Sequence, residues 1–379
     1  MSESRITPKS SKNIITIPKV DKNLEEKGVL TFTLSNTNVS IANSIRRTLV
    51  SNIPTVVIGK NIVFQKNTTS LNNEILVQRL HCIPVYLKTD SKLEDIQISL
   101  NMKNETDKVK YITTNDFELT LISSGKKLIE SDKNKIFPAH SISKMHILFA
   151  RLRPLISSEI SGEELEFTAN FDVSTAQEQG GHNVVSTCAY GNTPDRIIST
   201  EKWNEFVDKE QEKGTTEIEM DKYERDWENH QKYRYFKDNS FDFTIETIGV
   251  FKNNELVVLA CECIIKKLKN IIKQCNDDTL PIIKDKIAMK NSFDVELVNE
   301  NYTIGKVIEY ILHQKHFEND NILSYVGFCK FHPHDSNSTI RIAFNNEENA
   351  NKVNICNIFK AVCNDGINLI YNNIITSFK

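Results

Sequence analysis

The chain has 379 residues, 39% hydrophobic and 26% charged, with a net charge of −3 and a pI near 6.3. This length allows two or three domains with ample buried core, and the composition is that of an ordinary globular protein. The near-neutral charge argues against a protein that holds nucleic acid mainly by its own phosphate contacts, and favours protein partners. No run of about 18 apolar residues occurs, so no membrane-spanning helix is expected. Eight cysteines, at 82, 188, 261, 263, 275, 329, 356 and 363, form no C-x-x-C pair, and no secretory signal precedes them. They read as reduced thiols.

Residues 1–27 are polar and dotted with lysines, and read as a flexible tail. The alternation in Gly28 to Leu34 then predicts a half-buried strand. A short helix follows, with Asn38 or Ser40 as its cap. Ile41, Ile45 and Leu49 make one apolar stripe on it, with Asn43, Arg46 and Arg47 as its polar residues. Pro54 stops the helix, because a residue before proline is pushed out of helical geometry. Residues 74–83 predict a second short helix, ended by Pro84.

Between 93 and 172 short alternating segments (IQISL, FELTLI, KMHILFARL, LEFTANFDV) predict an irregular β-rich domain. Residues 201–238 are strongly charged, carry Trp203 and Trp227, and read as a solvated surface insertion, with partner docking through the tryptophans as the alternative. A strand is expected at 241–249 and a long amphipathic helix at about 255–275. Residues 276–290, with Asp277, Asp278 and Pro281, read as a linking stretch.

The last 89 residues repeat the opening theme. A strand at 293–298 precedes a helix capped by Thr303, whose stripe is Ile304, Val307, Ile308, Ile311 and Leu312. Two strands, near 322–331 and 338–344, lead to a closing helix at about 349–375. The same ground plan thus occurs twice. A unit of this kind exposes a helix face that two copies can cover for each other as a pseudo-symmetric pair.

The stretch Leu30 to Pro84 closely resembles the alpha-like subunits of multisubunit RNA polymerases, most of all the third-largest subunit of eukaryotic RNA polymerase II and the archaeal D subunit. The resemblance lies in Ala42-Asn43-Ser44-Ile45-Arg46-Arg47, Ile53-Pro54-Thr55-Val56, Asn67 to Leu71, Gln78-Arg79-Leu80 and Ile83-Pro84, and returns more weakly at Phe243 to Gly249. The last unit is similar to the eleventh subunit and the archaeal L subunit, through Tyr302 to Ile308, Val326-Gly327-Phe328, His332-Pro333 and Ile340-Arg341-Ile342. Those two are separate chains that pair in cells, whereas here they stand joined. Fusions of this sort are typical of large cytoplasmic DNA viruses of the giant-virus and African swine fever type, which implies a viral source. The resemblance is absent over 201–238.

The resemblance implies an α+β fold with two alpha-like dimerisation units in one chain and a β-rich inserted domain. The expected division is a tail at 1–27, a discontinuous first unit at 28–53 and 240–277, an inserted domain at 54–239, a linker at 278–290 and a second unit at 291–379. The implied function is a non-catalytic assembly platform of DNA-directed RNA polymerase. Asn43, Arg46 and Arg47 would face the second-largest subunit, with the largest joining later and a small zinc-binding subunit, equivalent to the tenth cellular one, also docking. Arginine suits such a face because its planar fork binds carboxylates or carbonyls bidentately. Ile41, Ile45 and Leu49 would form the internal seam with Ile304, Val307, Ile308 and Ile311. DNA would be met only indirectly, and the viral factory in the host cytoplasm or the virion would be its location, the nucleus remaining open.

No catalytic residue is expected: there is no D-x-D-x-D run and no phosphate-cradling GxxxxGK loop. Many relatives carry a zinc site or an iron–sulfur cluster in the inserted domain. Here that region offers only Cys82 and Cys188, so no cofactor is expected in this chain, with magnesium and zinc on other subunits. Cys261 and Cys263 on a helix point about 200° apart and read as core packing. His332-Pro333-His334 supplies too few ligands for a metal and reads as a turn. Gly305 is expected to admit a neighbouring backbone. The alternatives from other classes are a free DNA-binding regulator that reuses the fold and, less favoured, an enzyme.

Overall fold

The computed structural model describes residues 15–89, 93–157, 161–284 and 289–379. Its first element corrects the sequence reading. β1 (Lys19–Glu26) lies within the expected tail and pairs antiparallel with β2 (Val29–Ser35). Lys27 and Gly28 both take positive φ, 50° and 82°, as a two-residue hairpin turn requires. β1 hid in the sequence because it is a wet edge strand: nearly all its residues are exposed, so no alternation marks it. Residues 1–14 of that tail lie outside the described residues.

β2 buries Leu30, Phe32 and Leu34. α1 (Val39–Ser51) starts at Asn38, whose Oδ1 accepts the Ser40 N–H at 2.9 Å. Asn38 is therefore the cap. The chain then runs through β3 (Thr55–Asn67), α2 (Asn73–His81), β4 (Ile96–Lys103), β5 (Lys110–Thr113), β6 (Glu118–Leu121), α3 (Glu130–Ile136), β7 (Leu148–Leu152) and β8 (Glu164–Ser174). It returns by β9 (Val185–Pro194), the helices α4 (Arg196–Glu212) and α5 (Glu217–Asn229), β10 (Phe236–Thr247) and the long α6 (Asn253–Asn276). The last part is β11 (Ile282–Lys284), β12 (Ser292–Leu297), α7 (Tyr302–Leu312), β13 (Leu323–Cys329), β14 (Ser338–Phe344), α8 (Lys352–Ile370) and a final turn, α9 (Thr376–Phe378).

Two units emerge. One comprises residues 1–48, 187–246 and 253–379; the other comprises 49–186 and 247–252. The return point falls at 187, not at 240 as expected, because β9 joins β10 in the sheet ordered β1-β2-β10-β9. β9 and the charged segment after it therefore belong with the first unit. The same unit holds the second sheet, ordered β11-β12-β14-β13. β11 corrects the linker reading: Ile282 to Lys284 pair with Val295 to Phe293. A strand this short is too brief to show a period. Residues 285–288 of that stretch lie outside the described residues.

The other unit is built on the sheet β3-β8-β4-β6 and the pair β5–β7. β8 alternates strictly between buried and half-buried positions from Leu165 to Phe171, the signature of a strand with one face in a core. Phe117, Phe149 and Phe167 meet edge to face with centroids 5.4–5.6 Å apart. α2 contributes Leu76 and Leu80, and Arg79 fastens it to β7 by donating to Phe149 O at 2.6 Å and to Leu148 O at 2.8 Å. No helix among the described residues is long and apolar enough to cross a membrane.

Candidate functional site

The core of the first unit includes three helices, α6, α7 and α8, all from residues 253–370. α6 packs along α8, and α7 packs against α8. Leu268 and Ile271 of α6 and Phe359 and Val362 of α8 are buried. Gly366 of α8 marks where three helices converge: a Cβ there would lie 3.2 Å from Leu268 of α6 and 3.2 Å from Ile311 of α7. Beyond α8, Phe378 places its ring edge-on against Phe32 of β2, with centroids 4.9 Å apart, and Phe32 stacks on Phe243 at 4.9 Å. An ion pair between Lys267 of α6 and Glu300, just before α7, closes at 2.9 Å. Burial raises the Glu300 carboxyl above its usual range, and the lysine opposes this.

Ile41, Ile45, Leu49, Ile304, Val307, Ile308 and Ile311 are all buried, none more than 1% exposed. The close helix pairs are nonetheless those made by α6, α7 and α8. α1 and α7 are joined by a polar link. Arg47 donates its Nε to Thr303 Oγ1 at 2.9 Å. Thr303 is free to accept because it is not the helix cap: Asn301 holds that place, its Oδ1 accepting the Thr303 N–H at 2.9 Å.

Arg46 is held differently. Its Nε and Nη2 both donate to Asn43 Oδ1, at 3.1 and 3.0 Å. Asn43, Arg46 and Arg47 are all half-buried. Asn43 thus presets one edge of the Arg46 guanidinium. A cation fixed in this way can take a carboxylate or a carbonyl with less loss of side-chain freedom. The Arg46 charge also bears on Cys188 of β9, where burial pushes the thiol up to about 12 and the arginine pulls the other way.

Gly305 admits a neighbour, but a ring and not a backbone: a Cβ there would lie 1.9 Å from the Phe328 ring of β13. Tyr302 meets the same ring at 5.1 Å and the Lys306 ammonium lies 5.7 Å from its centroid. His332-Pro333-His334 is a turn. His332 N–H donates to Asp335 Oδ2 at 2.9 Å, and Asp335 N–H donates to His332 O at 3.1 Å. Cys261 is buried and Cys263 half-buried on α6. Among the described residues, no group of three or more His, Cys, Asp or Glu side chains is arranged to hold a metal ion.

Sequence reasoning missed one polar cluster. His182 Nε2 and His81 Nδ1 lie 2.9 Å apart, and His182 Nδ1 lies 3.0 Å from Ser174 Oγ, which donates to Glu178 at 2.6 Å. The cluster joins α2 to the loop after β8, from positions 101 residues apart. No local pattern announces it.

A family model described as the RNA polymerase Rpb3/Rpb11 dimerisation domain matches residues 31–268 of this chain. The chain belongs to that family. The matched range of this Rpb3/Rpb11-type chain runs from β2 into α6 and so takes in α1 with Asn43, Arg46 and Arg47. Curated relatives agree. The subunit 3B of DNA-directed RNA polymerases IV and V of Arabidopsis thaliana is 25% identical over 294 residues, covering 66% of this chain and 88% of its own. DNA-directed RNA polymerase subunit Rpo3 of Methanosphaera stadtmanae is 24% identical over 271 residues, covering 65% and 94%. DNA-directed RNA polymerase II subunit RPB3 of Schizosaccharomyces pombe is 24% identical over 280 residues, covering 71% and 89%. The Rpb3/Rpb11-type fold is mixed α and β with antiparallel sheets, as expected.

Proposed function

We propose that this chain is the assembly platform of a multisubunit DNA-directed RNA polymerase, with the equivalents of the third and eleventh cellular subunits joined in one polypeptide. One observation carries the reading. The family match ends at residue 268, yet residues 292–344 repeat the strand–helix–strand plan, and the helix after them, α8, packs along α6 inside one unit. Joining the partners makes their meeting intramolecular, so pairing no longer depends on two chains finding each other.

In this reading the platform is not catalytic. It recruits the second-largest subunit through Asn43 and Arg46, the largest subunit joins next, and a small zinc-binding subunit equivalent to the tenth cellular one also docks. Catalytic magnesium and structural zinc belong to those partners, and DNA is met only through the assembled enzyme. The source is a large DNA virus that transcribes in the host cytoplasm.

Arg46 is the sharper probe of this role, because Arg47 already engages Thr303. The full-length chain, tagged and carrying Arg46→Glu, should keep its circular dichroism and melting profile. It should lose two very large chains, and template-dependent RNA synthesis, from the purified material. A folded variant that still brings both large chains down in normal amounts would sink the assembly role of this face.

A further inference from the structure

The connection between β9 and β10 is a self-contained arm. These strands are sheet neighbours, and Asp195 N–H donates to Tyr235 O at 2.9 Å, closing the base of everything between them. The arm consists of α4 and α5, and neither helix has a single buried residue. It holds both tryptophans of the chain. Trp203 meets Trp227 at 5.4 Å and Phe206 at 5.7 Å, and Trp227 stacks on Tyr235 at 5.7 Å. All four rings are only half-buried. The rings pack mainly on one another, Phe206 also meeting Tyr223 at 5.5 Å, and no residue of either helix is fully buried.

The charge of the arm is as uneven as its burial. Residues 195–235 carry twelve acidic and eight basic side chains, a net −4 against −3 for the whole chain, so the rest of the molecule is slightly positive. On α4 the acids Glu201, Glu205, Asp208 and Glu212 are spaced by four, three and four residues. On α5, Glu217, Asp221, Glu224 and Glu228 repeat that spacing. Each set therefore forms one stripe, and all eight are exposed. Lys202 pairs with Glu205 and Lys232 with Glu228, while Asp208, Glu212, Glu217, Asp221 and Glu224 make no ion pair among the described residues. Beside the stripes stand Ile197, Ile218 and Tyr233, 73%, 72% and 60% exposed.

We infer that this arm is a docking site for a lysine- and arginine-rich segment of a partner protein, whose apolar residues cover Ile197, Ile218 and Tyr233 and the half-buried aromatic rings. Carboxylate stripes attract such a segment over a Debye length and repel a nucleic-acid phosphate backbone. Indole and phenol faces suit the same cations at contact, since a guanidinium or ammonium over an aromatic ring is attracted by its quadrupole. The inference does not rest on the assembly role of α1, because the arm is a separate surface.

With both tryptophans in the arm, emission from the full-length chain reports on it alone. A peptide of about 20 residues in which Lys and Arg alternate with Leu and Ile is expected to shift that emission saturably, with an effect that weakens as salt shortens the Debye length. An uncharged peptide of equal apolar content, an acidic one and duplex DNA should give no shift. The triple variant Glu217→Lys, Asp221→Lys, Glu224→Lys should fold normally and bind the basic peptide about tenfold more weakly. A chain with 196–234 replaced by two glycines should keep its fold and its association with large polymerase chains, and lose binding of the labelled peptide by anisotropy. No emission shift at saturating peptide, an equal shift from the uncharged peptide or from DNA, or full binding by the shortened chain would each overturn the inference.

Discussion

Arg47 of α1 and Thr303 of α7, 256 positions apart in the chain, meet in a hydrogen bond of 2.9 Å. It exists because Asn301 caps α7 and leaves the Thr303 hydroxyl available. Thr303 is only 3% exposed, so its oxygen has little access to water as a substitute. Thr303→Val keeps the shape and removes the acceptor. It should destabilise the chain by about 1.5–3 kcal/mol, the range for hydrogen bonds to charged groups, while Thr303→Ser should cost much less. Urea denaturation of the two variants side by side checks this, and equal midpoints would show that the bond contributes nothing.

Gly305 makes a sharper demand on space. A methyl group there would sit 1.9 Å from the Phe328 ring, so the ring must swing away from Tyr302 and Lys306. Alanine gains roughly 1 kcal/mol of helix propensity over glycine, and overpacking costs about 1–3 kcal/mol or more. At this distance overpacking should win. Gly305→Ala is expected to lower the melting temperature, and adding Phe328→Ala should recover part of the loss. Additive losses in the double variant would refute the steric explanation.

The two copies of the strand–helix plan share a cap chemistry. Asn38 and Asn301 each offer a side-chain oxygen to a backbone N–H of the first helical turn at 2.9 Å. Each Asn→Ala change should cost about 1 kcal/mol. The two should add, since caps without shared partners act independently. A double-mutant cycle by chemical denaturation gives the answer.

The pH dependence should come with two opposite signs. Burial holds His81 and His182 below the ordinary 6.5, and the neighbouring His81 charge lowers His182 further. Below pH 6.5 the unfolded chain therefore takes up protons that the native chain refuses, and stability falls as pH drops through that window. His182→Gln should flatten this dependence for the unit that contains it.

Glu300 works in reverse. Burial lifts its folded value above 4.5, so the native state holds a proton longer than the unfolded state does. Its contribution is present below 4.5 and declines as pH rises through the folded value. Stability curves of Glu300→Gln and the parent, compared across that range, should diverge in this direction.

Legibility in the sequence followed burial. Ile41, Ile45 and Leu49 gave α1 its stripe because one helix face is buried, and the alternation from Leu165 to Phe171 marked β8 because one strand face is. β1 was invisible for the converse reason: an edge strand wet on both faces carries no period. β11 was invisible because three residues cannot display one. The charged stretch after β9 showed its solvent exposure but not its aromatic stack, since Trp203 and Trp227 come together from two different helices.

Sequence alone determined the types of the elements that bury one face, the twofold repetition of the plan and the polar identity of Asn43, Arg46 and Arg47. These are local properties, set by side-chain chemistry and by periods of two or 3.6 residues. Tertiary structure decided what each buried face is buried against. A stripe on α6 says that it packs and not that α8 is its partner. Likewise nothing near Arg47 in the chain points to Thr303. Such pairings depend on how distant segments fill common space, and close packing leaves few ways to do so.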